Sequence, residues 1–339
     1  MAGAAAYDPP MTSEPSPRPV ALVTAPLRGP GVDRLRRVAD LVIDPWLDHQ
    51  PLRLYTAEQL AQRIDEEGAT IVVCEGDSVA GPVLERPLRA IGSARGDPIN
   101  VDVAAATAAG IPVLHAPGRN ADAVAELAVA LLLAVTRQLL PADRDVRDGE
   151  IYRDGTIPYQ RFRAWQLAGR TAGLVGLGAV GRATRWRLEG LGMRVIAADP
   201  YAPDATHSLD DLLTEADVVS LHAAVTPETV GMIDEAAIGG MRDGAVFLNT
   251  ARAALHDLDA LTDALVEGKL AGAGLDHFDG EILDPAHPIT KLPNVVLTPH
   301  IGGATYDTET NHTTMLSDDL ILLLSGQRPH RIVNPEVLQ

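Results

Sequence analysis

The chain has 339 residues, 46% of them hydrophobic, and a formal net charge of −18. That length predicts two domains, and that composition a globular chain. The acidity argues against nucleic acid or an anionic membrane as a partner, and no apolar run reaches transmembrane length.

Residues 1–19 are rich in Ala and Pro, with no basic start and no clean apolar core. They are expected to form a disordered tail, not a signal peptide, which places the protein in the cytoplasm. Val20-Ala21-Leu22-Val23 predicts a buried strand that ends before Pro26. Helical spacing follows over 32–38, then a strand at Leu41-Val42-Ile43. Thr56 should cap a helix running to Glu67. The next strand, 71–74, holds the only cysteine, Cys74, which reads as a buried thiol. One cysteine allows no intrachain disulfide and no cysteine metal cluster. A strand at 88–91 leads into the small-residue loop Gly92-Ser93-Ala94-Arg95-Gly96-Asp97-Pro98. A helix over 102–109 and a strand over 111–114 follow. Strands alternating with helices predict a parallel sheet covered on both faces. This half carries no dinucleotide fingerprint.

Residues 120–147 read as one long helix. It is apolar nearly all round over 127–135, so it is expected to bury against a domain or subunit interface. The most specific motif comes next. An apolar run ends at Val175, and Gly176, Gly178 and Gly181 follow as G-x-G-x-x-G, enclosing Ala179 and Val180. A helix over 183–191 and a strand over 194–198 end at Asp199-Pro200. Strand, glycine turn, helix, strand and acid form the dinucleotide fingerprint in its full context. Gly176 permits the tight turn, Gly178 lets the backbone approach a pyrophosphate at the helix N-terminus, and Asp199 accepts from a ribose. Beyond it, a helix at 208–213 and a strand at 217–221 precede Thr226-Pro227. That pair reads as an N-cap followed by proline in the first helical position. Strands at 245–248, 272–275 and 295–297, a helix at 258–267 and a terminal helix at 304–324 complete the pattern. No solenoid repeat occurs, and Lys269 and Lys291, the only lysines, stand in no catalytic motif.

Three polar residues each follow a buried strand: Arg252, Glu281 and His300. In open α/β sheets the ligand crevice lies beyond the carboxyl ends of the strands. Histidine with a carboxylate partner and a nearby arginine suits reduction of a 2-keto acid. The histidine protonates the carbonyl oxygen as hydride reaches carbon, the carboxylate supports the imidazolium, and the arginine binds the substrate carboxylate. Taken singly, each has an ordinary reading: Arg252 as a helix-start charge, Glu281 as a solvated acid beside Asp279 and Asp284, His300 as one of ten histidines. Joint placement on strand ends carries the argument.

Four blocks resemble the D-isomer-specific 2-hydroxyacid dehydrogenases, the family that includes D-3-phosphoglycerate dehydrogenase. They are Asn100-Val101-Asp102 through Ala116-Pro117-Gly118 with Val124-Ala125-Glu126, the fingerprint to Asp199-Pro200, Asn249-Thr250-Ala251-Arg252, and Leu297-Thr298-Pro299-His300-Ile301-Gly302-Gly303. The resemblance implies two doubly wound parallel-sheet domains, Rossmann-like and flavodoxin-like. The catalytic domain would comprise 20–118 and 306–339, with the NAD-binding domain, 119–305, inserted between hinges near Gly118 and Ala304. It implies NAD as cofactor, a small 2-hydroxy or 2-keto acid as substrate, and a homodimer built through the cofactor domains. By motif position Arg252 matches the substrate arginine, Glu281 the partner glutamate and His300 the catalytic histidine. Asp276 matches the residue that holds the nicotinamide carboxamide. His222, Thr250, Ala251, Gly302 and Gly303 join the cofactor set. Ser93, Ala94, Arg95 and Gly96 match the backbone cradle for the substrate carboxylate. The sequence departs from the family at Ile282 after the glutamate, at Ala253-Ala254 after the arginine, and at Ala224 after His222. Arg95 adds a cation to the substrate loop, which suggests a substrate with a second anionic group. Phosphoglycerate dehydrogenase proper, without an appended regulatory domain, is the nearest alternative. A dinucleotide-sensing corepressor on the same fold is the alternative of another class.

Overall fold

The computed structural model describes residues 18–338. Residues 1–17 of the expected tail lie outside them. Arg18 and Pro19 depart from that expectation: the Pro19 carbonyl accepts the Asp40 N–H at 2.9 Å, and Arg18 pairs with Asp40 at 3.5 Å. The chain forms two compact units. The first runs to Arg119 and resumes at Glu309, and the second is Asn120–Thr308.

The first unit is a five-stranded parallel sheet of β1 (Val20–Val23), β2 (Asp40–Ile43), β3 (Ile71–Cys74), β4 (Ala90–Ser93) and β5 (Val113–Leu114), in the order β2-β1-β3-β4-β5. Its helices are α1 (Pro30–Arg36), α2 (Ala57–Glu67) and α3 (Val103–Ala108), together with the C-terminal helix Tyr306–Leu324. Period-2 alternation sends Leu22, Val72 and Ile91 to one face, where Leu60 and Ile64 of α2 cover them. Val23 and Val73 go to the other face, against Leu35 of α1 and Leu316 and Leu320 of the C-terminal helix. Each such fully buried side chain contributes about 1.5–3 kcal/mol. Thr56 and Gln59 close a capping box on α2, and Gly68 ends it at φ 60°. The Cys74 thiol is buried, and burial pushes its pKa up to about 12. The strand expected at 88–91 begins two residues later, because the Leu88 N–H turns back to the Arg86 carbonyl at 2.7 Å.

The second unit is a six-stranded parallel sheet of β6 (Thr171–Val175), β7 (Arg194–Ala198), β8 (Val218–Leu221), β9 (Ala245–Asn249), β10 (Leu270–Leu275) and β11 (Val295–Leu297), in the order β11-β10-β9-β8-β6-β7. Helices α4 (Ala121–Thr136), α5 (Leu139–Arg147), α6 (Pro158–Arg161), α7 (Ala179–Gly190), α8 (Leu209–Glu215), α9 (Glu235–Gly240) and α10 (Leu258–Val266) belong to it. In both sheets the first strand lies between the second and third, so the winding reverses there. In the second sheet this switch point falls between β6 and β8, at the glycine turn.

Two expected helices differ. The stretch 120–147 is two helices bent by 63°. Gln138 takes φ 51° between them, and Pro141 has no N–H to continue a straight helix through Arg137. The apolar side of α4 is covered within its own unit, so no interface is needed to explain it. Leu131 and Val135 press onto β10, where a Cβ at Gly272 would stand 2.6 Å from Val135 and one at Gly274 2.9 Å from Leu131. Thr226-Pro227 starts only a turn: the Thr226 carbonyl accepts from Thr229 at 3.0 Å and Val230 at 3.1 Å, and Gly231 at φ 64° ends it. The helix begins at Glu235, capped by the Asp234 side chain on Ala237 N–H. Among the described residues, no single helix is long and apolar enough to cross a membrane.

Candidate active site

The glycine turn explains its own composition. Gly176 sits at φ 95°, and a Cβ there would meet the Ala223 nitrogen at 2.6 Å. A Cβ at Gly181 would lie 2.2 Å from the Gly176 carbonyl, so α7 packs on the turn only through glycine. Gly178 is different: a Cβ there would meet nothing within 4 Å. Gly178 is also the N-cap of α7 without a side-chain cap, so the N–H groups of Ala179, Val180 and Gly181 have no partner among the described residues. Asp199 is fixed by two backbone donors, Leu177 N–H to Oδ2 at 2.7 Å and Tyr201 N–H to Oδ1 at 2.8 Å. Pro200 beside it is exposed.

Two neighbouring strand ends carry polar atoms that have no partner among the described residues. His222, after β8, contacts Ser220 Oγ through Nε2 at 2.9 Å, while its Nδ1 has no partner. Burial pulls this imidazole down to about 4, so it is neutral at pH 7. Thr250, after β9, is buried with its hydroxyl unpaired. Buried polar groups normally find partners. A turn with open N–H groups, an anchored acid and two orphaned donor–acceptor atoms fit a dinucleotide along this edge.

Asn249 shapes the loop that follows β9. Its Oδ1 accepts the Ala251 N–H at 2.9 Å, and its Nδ2 donates to the Arg252 carbonyl at 2.9 Å and to His256 Nδ1 at 3.0 Å. The exposed Arg252 guanidinium bonds only the Ala251 carbonyl, at 2.7 Å, and among the described residues no carboxylate lies within 4.0 Å of it. The departures at Ala253-Ala254 fold into a 3-10 turn (Ala253–Leu255) that leaves this loop braced.

After β10 and β11 three side chains converge. His300 Nδ1 lies 2.8 Å from Glu281 Oε1. His300 Nε2 lies 2.9 Å from Nε2 of His277, a buried residue that sequence reasoning passed over. The two rings stack at 3.7 Å between centroids, tilted by 47°. His277 follows directly on Asp276, and its place two residues past a buried strand was the available signal. Burial pulls its pKa down to about 4, helped by the charges of His300 and Arg252. Asp276 is almost fully buried. Its Oδ1 accepts from Thr298 Oγ1 at 2.6 Å and Ile301 N–H at 2.9 Å, and its Oδ2 accepts from Gly302 N–H at 2.8 Å. This carboxylate therefore fastens the loop that presents His300. Gly302 is tight against it, since a Cβ would stand 3.0 Å from Oδ2, and Gly303 packs on Asn120.

The loop 93–96, expected to cradle a substrate carboxylate, belongs to the first unit. Ser93 and Ala94 are fully buried, and the Ala94 N–H is spent on the Cys74 carbonyl at 2.8 Å. Ser93 is the last residue of β4, which runs two residues further than expected, and Ala94 has no free N–H to offer a ligand. Arg95 and Gly96 are half-buried, and the Gly96 N–H has no partner among the described residues. Among those residues no carboxylate, Asp97 included, lies within 4.0 Å of the Arg95 guanidinium.

A doubly wound sheet with a dinucleotide turn at its switch point, and a histidine–carboxylate pair on the same strand ends, defines a nicotinamide-dependent oxidoreductase. The chain belongs to the D-isomer-specific 2-hydroxyacid dehydrogenase family, whose NAD-binding domain matches residues 129–302. It is thus an NAD-dependent dehydrogenase acting on CH–OH donors. It is 36% identical to a glyoxylate reductase of Thermofilum pendens, over 95% of this chain and 96% of the relative. It is 35% identical to a D-3-phosphoglycerate dehydrogenase of Archaeoglobus fulgidus, over 82% of this chain but 53% of that protein. Among solved structures, the TT0316 protein of Thermus thermophilus matches with a TM-score of 0.79 and 38% identity, over 93% of this chain and 99% of the other.

Proposed function

We propose that the protein reduces 2-keto acids to D-2-hydroxy acids with NADH, and runs the reverse reaction when NAD is supplied. The observation that carries this is the 2.8 Å pair of His300 and Glu281 on the strand ends that also bear the unpaired Arg252. The residues that would hold NAD are Gly176, Gly178, Ala179, Val180, Gly181, Asp199, His222, Thr250 and Ala251, which lie at the carboxyl edge of β6 to β9. When bound, the reduced cofactor supplies a hydride to the carbonyl carbon. Arg252 binds the substrate carboxylate and polarises the carbonyl. His300 gives the Nε2 proton to the carbonyl oxygen, and Glu281 holds the Nδ1–H as the imidazolium forms and empties. Asp276 acts here by fixing the His300 loop.

The half-buried Arg95 supports a substrate with a second anionic group, a carboxylate, phosphate or phosphonate, since a guanidinium fork matches such oxygens. We also propose a cytoplasmic homodimer. Support for the dimer comes from exposed Leu139, Leu140, Val146, Tyr152, Tyr159 and Trp165 in the second unit, and sedimentation would read it. Support for the cytoplasm is the single unpaired, buried Cys74. The decisive assay is NADH oxidation against a panel of 2-keto acids, with and without a distal anion. No turnover with any of them would overturn the proposal.

A further inference from the structure

Both ring nitrogens of His300 already have partners within the second unit. Nδ1 faces Glu281, and Nε2, the atom that must serve the substrate, faces His277 at 2.9 Å. Glu281 Oε1 stands 2.8 Å from His300 Nδ1 and 3.6 Å from His277 Nδ1. An ionised carboxylate offers lone pairs only, so each Nδ1 is best placed as an N–H. His277 is buried, the charges acting on it are those of His300, Arg252, Glu281 and Asp276, and it stays neutral at pH 7. With its proton on Nδ1, it carries a lone pair on Nε2. A neutral His300 would turn a second lone pair toward it, which repels. A protonated His300 would donate Nε2–H to it and Nδ1–H to Glu281, so both of its ring donors are satisfied.

We propose that His277 is a positioning residue, accepting the Nε2–H of protonated His300 and holding that proton ready until the substrate carbonyl oxygen replaces it as acceptor. This rests on the assignment of His300 as proton donor. The ring stacking, at 3.7 Å between centroids, fixes the imidazole plane at the same time. His277 thus complements Glu281: one residue secures each nitrogen.

The test is a ¹H–¹⁵N NMR titration of His300 in the full chain. His277→Leu and His277→Val fill the site without an acceptor, and two apolar variants guard against a misfit. His277→Gln places an amide oxygen near the former Nε2. The His300 protonation midpoint should fall by about one unit in the apolar variants, the size of a lost charge-assisted hydrogen bond. It should return to within a few tenths in His277→Gln. The pH profile of kcat/KM for keto-acid reduction should move in the same direction. A midpoint that stays put in the apolar variants, or that glutamine does not restore, overturns the proposal. NMR reads His300 without turnover, so this failure is separable from failure of the proton-donor assignment, which His300→Asn reports.

Discussion

Glu281 and His300 meet at 2.8 Å, and both stand at left-handed backbone angles, φ 59° and 53°. Non-glycine residues leave that region when free to do so, and holding one there costs about 1–3 kcal/mol. Here the surroundings impose it. Asp276 fastens the loop around His300 through Ile301 and Gly302, and Gly280 at φ 58° sets up the turn before Glu281. The strain falls on the two residues whose side chains must meet.

That pairing predicts a split between two variants. His300→Asn should lower kcat for keto-acid reduction by at least about 10²-fold, the size of a lost acid–base group. Glu281→Gln should keep more activity but change its pH dependence. An imidazolium without its carboxylate gives up its proton at lower pH, and reduction needs the protonated ring. The optimum should therefore move down. A pH–rate profile that matches the parent would show that the pair does not operate in turnover.

Asp199 predicts a preference for NADH over NADPH. Backbone N–H groups hold both carboxylate oxygens, so the side chain cannot swing away from a 2′-phosphate. Two like charges at ~4 Å and an effective dielectric near 20 repel by about 4 kcal/mol, and solvent at this half-open site reduces that to roughly 3. Arg182, the nearby cation, is engaged with Asp204 at 2.5 and 2.8 Å. A kcat/KM ratio favouring NADH by about 10²-fold is expected. Parity between the two cofactors would refute it.

The glycines of the turn should separate in kind. At Gly178 an added methyl meets open space in the direction a pyrophosphate would approach. Gly178→Ala should leave the melting temperature within about 1 °C and raise the KM for NADH about tenfold or more. At Gly181 the methyl would drive into the Gly176 carbonyl. Gly181→Ala should destabilise the fold by about 1–3 kcal/mol. Thermal melts and cofactor titrations on the two variants are sufficient, and equal effects would count against the assignment of the turn.

Arg95 carries the prediction on substrate class. Arg95→Ala should cost about 1.5–3 kcal/mol in kcat/KM for a dianionic keto acid, the value of a charged hydrogen bond. Pyruvate and glyoxylate should be almost unaffected. An equal loss on both kinds of substrate, or on neither, would leave Arg95 without a role in selecting a distal anion.

The glycine turn and the strand-end residues were legible in the sequence because each is tied to local chemistry. The turn excludes a Cβ at Gly176 and Gly181, and the strands are short apolar runs whose ends mark the crevice. The break between α4 and α5 was only half legible. Pro141 signalled it, while the left-handed Gln138 that performs it has no signature of its own. Thr226-Pro227 showed good helix-start chemistry, but Gly231 closed the turn before a helix could grow. The surroundings of Ser93 and Ala94 depended on where β4 ends: a two-residue shift draws Ser93 into the strand, and the Ala94 N–H is taken by Cys74 of β3. His277 and Asp276 stand side by side in the chain, yet their partners lie more than twenty residues away. That contact exists only once β10 and β11 pair.

The C-terminal helix gives the polypeptide a timetable. Leu316 and Leu320 complete one face of the first sheet, although β1 to β5 have all left the ribosome long before them. The second unit is continuous and can fold during synthesis, as domains generally do. The first must wait, with Val23 and Val73 covered only by Leu35 of α1, until the segment from Glu309 onward emerges. A nascent chain stalled in that interval carries one finished unit and one open, sticky sheet, and it is the segment a chaperone would have to shield.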